Sequence, residues 1–389
     1  MTSLVMAPLW LASGSVGTAY EAGLRAELRT RTGEIRAAEL ELVPGLGLEH
    51  THESLTLALR YAPRLRLTLQ PGAALQSPNL LHAAALEGSW QVDTRTQLRG
   101  LQQVSYGVNE FDPLASPLLD GGMELEPRPL APVRRYVSSD SGLALTRALS
   151  LRTRLTLGAR YLVSGSLEPE ERSALPLQHG PTLEARLAHD LTRRDLLETV
   201  ASATRTTFSS EEQALTAGAT QGWRRQLTRS LDSQLAVGAA ALRATSPVAP
   251  DAGTRVLPVA EAGLGYEPEL RDSPFSARLA ARYAPFIDRI TAGVYGRAEA
   301  ELGLAWALAP SLQLASRAGV ARALDGSAGA NSQVASLEAS ATYAQGPGLA
   351  LSAGVRGAWD ERSIGTGERT RRFEAGAFLT LTLLAREVL

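Results

Sequence analysis

The stretch best equipped for chemistry is Glu49-His50-Thr51-His52-Glu53, two imidazoles between two carboxylates. Those are the groups that bind zinc and related cations. His-x-His aims both rings the same way only in an extended chain, however, and no third ligand is placed by sequence. A polar strand-to-turn passage accounts for the segment without metal, so neither metal nor cofactor is expected. His82, His179 and His189 are isolated in the sequence. There is no Gly-x-Ser-x-Gly elbow and no phosphate-binding loop, and Gly326-Ser327-Ala328-Gly329 reads as loop. A hydrolase built on strands would need Ser and His at matching heights on neighbouring strands. No such pair can be nominated, and no catalysis is expected. Without cysteine, disulfides, Cys-based zinc sites and lipid attachment through an N-terminal Cys are unavailable.

The remaining chemistry is charge. Glu39 and Glu41 precede Arg60, Arg64 and Arg66 by one strand length, and Arg278 and Arg282 precede Glu299 and Glu301 in the same manner, with Arg317 a strand further on. Opposite charges on adjacent strands form cross-strand pairs worth about 0.2 to 1 kcal/mol each. Such a set reads as a salt-bridged wall, and equally as the lining of a hydrated lumen whose charges tune what passes.

The elements that must carry these residues alternate. In Arg297 to Leu324, Ala298, Ala300, Leu302, Leu304, Trp306 and Leu308 share one parity, and Arg297, Glu299, Glu301 and Gly303 the other. Ala-Pro-Ser then reverses the chain. This is a hairpin with one oily face and one wet face. Soluble strands average about 5 to 6 residues, whereas a tilted membrane-crossing strand needs roughly 9 to 11. The strands here are of the longer kind, and the hairpin recurs to the end of the chain.

The sequence parses into about eighteen strands, and beyond the first few, long connections alternate with tight turns. The expected fold is all-β: a transmembrane antiparallel up-and-down barrel over residues 19–389, with short periplasmic turns and longer extracellular loops. Pro44 falls inside the second strand as a local irregularity. Residues 1–18, with an apolar run from Leu4 to Ala12, read as the remnant of a signal peptide or a disordered N-terminus. The longest connection, 109–135, is the candidate plug or constriction, and 165–180, with Glu168, Glu170 and Glu171, is the second.

Aromatics on the outward parity fall into two sets. Tyr20, Trp90, Trp223, Tyr266, Trp306 and Tyr343 lie near the turn ends, and Tyr106, Tyr136, Tyr161, Phe208, Tyr283, Trp359 and Phe373 near the loop ends. Two interfacial girdles in contact with outer-membrane lipid would look like this. Mean hydropathy is -0.06 and net charge -1, with Lys+Arg 39 against Asp+Glu 40. No helical membrane span is apparent, and nucleic acid is not an expected partner. Every basic side chain is Arg, a composition that suggests a GC-rich coding bias more than a mechanism.

The last strand contains Glu374-Ala375-Gly376-Ala377-Phe378-Leu379-Thr380-Leu381, which resembles the signal read by the barrel-assembly machinery, without its terminal aromatic. With its strand number, its length near four hundred residues and its Arg/Ala/Leu-rich hairpins, the chain is similar to the Wzp-type porins, outer-membrane barrels of exopolysaccharide export. That resemblance implies a bacterial outer-membrane channel for a secreted polysaccharide, completed by a periplasmic export partner. It identifies no site residues. A general diffusion porin for small hydrophilic solutes, and a barrel enzyme or adhesin, are the alternatives.

Overall fold

The computed structural model describes residues 15–31, 34–69, 78–109, 134–172, 176–245, 253–268, 274–287, 294–324, 332–346, 348–364 and 368–388. The first half of the chain forms β1 (Ser15–Arg31), β2 (Glu34–His52), β3 (Leu55–Tyr61), β4 (Arg64–Leu69), β5 (Asn79–Asp93), β6 (Thr96–Asn109), β7 (Arg134–Ala148), β8 (Thr153–Gly165) and β9 (Gln178–Asp190). The second forms β10 (Asp195–Phe208), β11 (Gln213–Gln226), β12 (Leu231–Thr245), β13 (Arg255–Tyr266), β14 (Phe275–Ile287), β15 (Val294–Ala309), β16 (Leu312–Ala323), β17 (Ser332–Gln345), β18 (Leu349–Ile364) and β19 (Glu368–Val388).

Apart from β3 and β4, every strand pairs antiparallel with its chain neighbours, and β1 pairs with β19 from Gly17↔Val388 to Arg31↔Glu374. The sheet therefore closes on itself, which lets the strand backbones satisfy one another inside a membrane. β3 and β4 both pair with β2 and β5, so they are two halves of one crossing and the barrel has eighteen crossings. The break has a covalent cause. The register that pairs Leu46 with Tyr61 and Leu42 with Leu65 sets Pro44 opposite Pro63, and neither proline has an N–H to give.

The two faces differ as the alternation requires. On β1, Tyr20, Leu24 and Leu28 are exposed, while Glu27 on the opposite face is buried. The same outward exposure runs through Leu40, Leu86, Leu143, Leu183, Leu235, Leu279, Leu337 and Leu379. Leaving one leucine in water costs about 1.5 to 3 kcal/mol relative to burying it. A continuous belt of them is stable only against lipid.

Both described ends of the chain, in β1 and β19, lie on the rim of short turns: 53–54, 94–95, 149–152, 191–194, 227–230, 310–311 and 346–348 join strands there. The opposite rim carries the longer connections, the longest between Asn109 and Arg134. The sorting has exceptions: 32–33, 209–212 and 365–367 are short on the loop rim, and 267–274 is longer on the turn rim.

Candidate conduction path and its charged wall

The barrel interior narrows at the loop rim because one hairpin leaves the wall. Pairing between β13 and β14 stops at Ala260↔Tyr283, although β12 and β13 stay paired to Leu242↔Arg255, and β14 and β15 to Ile287↔Val294. The end of the β14–β15 hairpin is thus free of its β13 neighbour. Ile287 and Val294, on its lipid-facing parity, pack against Phe208 of β10 and Ala214 of β11, both on the inward parity. That contact is possible only if the hairpin end curls into the lumen. β12 and β15, three positions apart in the sheet, accordingly approach within 8 Å between Cα atoms. Inward apolar residues in the same quarter, Ala240, Leu242 and Leu257, are buried.

The inner face of the hairpin is also packed. Phe286 and Tyr295 pack with their rings tilted by 44° at 5.3 Å between centroids and form a cluster with Ala323 of β16. Gly296 is where the hairpin needs glycine: a Cβ there would collide with the Tyr283 hydroxyl.

Two mixed-sign networks line the inward parity. On β14–β16, Glu299 lies 2.9 Å from Arg282 and 2.8 Å from Arg297, Glu301 lies 2.9 Å from Arg317, and the Arg297 guanidinium sits 4.3 Å above the Phe286 ring. Glu299, Glu301 and Arg297 are buried. Arg278 faces Gly265 and Gly303 and, among the described residues, is not brought to a carboxylate. Glu301 lies opposite Ala280 on β14 and pairs with Arg317 of β16 on the other side.

The second network spans the closure. Arg66 on β4 lies 3.3 Å from Glu41 and 3.9 Å from Glu39, with Arg64 at 4.0 Å from Glu41. Arg60, expected among them, lies opposite Gly47 and Ala85 instead. The break at Pro63 separates β3 from the part of β2 that carries the glutamates. Next along the wall, Glu27 on β1 accepts from Arg356 on β18 at 2.6 Å and lies 3.1 Å from Arg25, whose guanidinium covers Phe378 at 4.1 Å. A third pair, Asp140 with Arg160, joins β7 to β8. Arg25, Glu27, Arg297, Arg356, Asp140 and Arg160 were not singled out in the sequence. Their signal is the same inward parity as that of the named charges, but parity alone does not give register.

Of the outward aromatics, Tyr20, Trp90, Tyr106, Tyr161, Trp223, Tyr266, Trp306, Tyr343 and Phe373 are exposed, and Tyr283 and Trp359 are half-buried. Tyr136 and Phe208 are on the inward parity and buried, which corrects the expectation. Each sits at a strand end, where a one-residue error in the boundary exchanges the faces. The histidines that looked isolated have partners: His82 Nδ1 lies 2.7 Å from the Tyr61 hydroxyl, His179 Nδ1 3.0 Å from that of Tyr161, and His189 Nδ1 2.9 Å from Thr153 Oγ1. His50 is buried on β2, and among the described residues no group of three His, Cys, Asp or Glu could hold a metal ion.

Most of the first expected plug, 110–133 within 109–135, lies outside the described residues. The second, 165–180, begins with a 3₁₀ turn at Pro169–Glu171, and Glu168 pairs with Arg135 of β7 at 2.9 Å. Among the described residues the constriction is the β14–β15 hairpin.

A closed barrel with a lipid-facing leucine belt, a charged inner wall and short turns on one rim is an outer-membrane β-barrel channel. The EpsX exopolysaccharide export family matches residues 9–385. The chain belongs to that family. Among solved structures, the chain is similar to Pseudomonas aeruginosa OpdK with vanillate, at 12% identity and TM-score 0.48, covering 95% of this chain and 99% of that one. It is also similar to OprD from the same organism, at 12% and 0.46 over 94% and 95% of the two chains. A third similar structure is P. aeruginosa OpdL, at 15% and 0.49 over 97% and 99%. No curated protein matches the chain.

Proposed function

We propose that this outer-membrane channel conducts a secreted polysaccharide, as the terminal component of an exopolysaccharide export pathway, and that it is a passive conduit without catalysis. Membership of the export family over residues 9–385 is the observation that carries this reading. The inner wall is compatible with it. Its carboxylates sit against arginines, so it offers paired charges in place of a field of one sign, and interior residues of barrels tune selectivity. In this reading Glu39, Glu41, Arg60, Arg64, Arg66, Arg278, Arg282, Glu299, Glu301 and Arg317 border the path. A periplasmic export protein delivers the polymer, and the strand containing Glu374 to Leu381 is read by the barrel-assembly machinery during insertion.

One observation favours the second reading, a diffusion porin for small hydrophilic solutes: the inward β14–β15 hairpin is the kind of constriction such porins use. The porin reading also expects clusters of opposite sign facing each other across the opening. The network on the hairpin contains both signs within itself.

Deleting the gene and restoring it with the wild type or with a chain shortened by residues 286–295 separates the readings. Loss of surface polysaccharide with unchanged small-solute uptake is the expected result of the deletion. Unchanged polysaccharide with reduced uptake would overturn the export reading in favour of the porin.

A further inference from the structure

Four consecutive turns on one arc of the short-turn rim, 94–95, 149–152, 191–194 and 227–230, carry Arg95, Arg152, Arg193 with Arg194, and Arg229. All five are exposed. The short turns 53–54, 310–311 and 346–348 on the same rim carry no cation, and the longer 267–274 carries Arg271. The turns of the arc are fixed from within. Asp93 Oδ1 accepts the Arg95 backbone N–H at 2.6 Å, Ser150 Oγ those of Arg152 and Thr153 at 3.2 and 3.0 Å, Thr192 Oγ1 those of Arg194 and Asp195 at 3.1 Å, and Thr228 Oγ1 that of Ser230 at 3.2 Å. The turns thus satisfy themselves without using a guanidinium group.

The strands beside these turns repeat a pattern on the lipid-facing parity. On β7, Leu143, Leu145, Arg147 and Leu149 share that face and are exposed. On β11, Trp223, Arg225 and Leu227 do the same, with the Arg225 guanidinium 5.8 Å from the Trp223 ring and 3.7 Å from Asp195. Among the described residues the guanidinium groups of Arg152, Arg193, Arg194 and Arg229 make no hydrogen bond or ion pair, and that of Arg147 makes no direct one. Arg147, whose charge is felt by Asp93 across β6, lies between two leucines that face acyl chains, where a bilayer changes from hydrocarbon to phosphate. Arginine forms bidentate bonds with phosphate.

We infer that this arc binds the phosphate groups of anionic phospholipids in the leaflet at the turn rim, with Arg147 reaching from the lipid face and Arg152, Arg193, Arg194 and Arg229 from the turns. A soluble protein approaching from the periplasm would meet the turn tips, but it would not meet Arg147, which lies on the membrane side. The inference rests on the barrel's orientation in the membrane and is independent of what the channel carries.

The test uses the full chain, purified in detergent and placed in nanodiscs of phosphatidylethanolamine containing phosphatidylglycerol or cardiolipin. Native mass spectrometry then counts retained lipids, and heat-modifiable gel mobility confirms folding. Wild-type protein is expected to retain the anionic lipids in preference to the zwitterionic one. Each arginine near an anionic surface contributes roughly fivefold, so R147Q/R152Q is expected to reduce the preference substantially and R147Q/R152Q/R193Q/R194Q/R229Q to abolish it. The double variant keeps the test valid should the quintuple variant fail to fold, and R322Q on the opposite rim is expected to leave the preference intact. Equal retention of the two lipid classes by the wild type would overturn the inference. Complete displacement by inorganic phosphate would also overturn it, showing a free-anion site. So would a photo-crosslinker at Leu151 that captures protein and no lipid in cells, which would make the arc a protein dock.

Discussion

Continued two residues past its last pair, Ala260↔Tyr283, the β13–β14 register would set Pro258 of β13 opposite Pro285 of β14. An antiparallel pair exchanges N–H···O bonds, and two prolines have none to donate. The seam opens there and the β14–β15 hairpin turns inward. At Pro44 and Pro63 the same confrontation only interrupts a crossing, because β2 pairs again with β4 beyond it. Replacing both residues, Pro258→Thr with Pro285→Thr, should let β13 and β14 pair to the rim and return the hairpin to the wall. Single-channel conductance in planar bilayers is expected to rise several-fold. An unchanged conductance would mean that the prolines are not what holds the seam open.

The apolar side of the hairpin gives a separate prediction. Ile287 and Val294 rest on Phe208 and Ala214 inside the lumen. Removing a buried phenylalanine costs about 3 to 5 kcal/mol when the site cannot collapse. Phe208→Ala should therefore loosen the hairpin, which would appear as added current noise between open levels while the rest of the barrel keeps its heat resistance on gels. Quiet, wild-type traces would count against the packing described.

Glu299 is buried between Arg282 and Arg297. Breaking a buried ion pair from one side costs about 3 to 5 kcal/mol, since it strands the opposite charge, whereas replacing the whole set by apolar residues of similar volume is often neutral. Urea unfolding in detergent should show Glu299→Ala strongly destabilised. Arg282→Met/Arg297→Met/Glu299→Met should lie near the wild type. Equal losses in both variants would show that the residues matter for their shape and not for their charge.

The eighteen crossings and the inward sign of the charges were legible in the sequence because period-2 alternation and strand length are local properties. What was not legible depends on register. Arg60 and Arg278 share a face with glutamates yet meet glycines, and Glu27 finds its cation on β18, at the far end of the chain. Tyr136 and Phe208 were placed on the wrong face because each sits at a strand end. The expected plug at 109–135 lies mostly outside the described residues. The hairpin that narrows the mouth is marked by something smaller, a proline on each of two neighbouring strands, and only the pairing register makes them partners.

The two faces can be tested on paired strands. Leu143 on β7 is exposed on the lipid side, and Gln103 on β6 is exposed on the inner side. An arginine on the lipid face near the bilayer midplane costs about 2 to 4 kcal/mol, and interior positions tolerate charge. Leu143→Arg should lower the urea midpoint in lipid vesicles and Gln103→Arg should not, while Gln103→Arg alone should alter the anion-to-cation permeability ratio. The reverse pattern would turn the barrel inside out and remove the basis for the channel.

The closure of the barrel depends on a contact that passes over a strand. Arg356 on β18 and Glu27 on β1 are separated by β19, and they meet at 2.6 Å across Gly376. A Cβ on Gly376 would stand 2.7 Å from Glu27 Oε1 and 3.6 Å from the Arg356 side chain, tighter than a carboxylate held in place accepts. The glycine inside Glu374 to Leu381 thus has a local structural reason: it clears the path for an ion pair that ties the first strand to the last two. Gly376→Val should push the pair apart, and Glu27→Gln should remove its charge. Both should slow the appearance of the heat-resistant, fast-migrating form during refolding into detergent, and in a double-mutant cycle the combination should add little to Gly376→Val alone. Full additivity would show that the glycine acts on refolding through something other than this pair, whereas Gly376→Val refolding like wild type in detergent would leave recognition during assembly as its role.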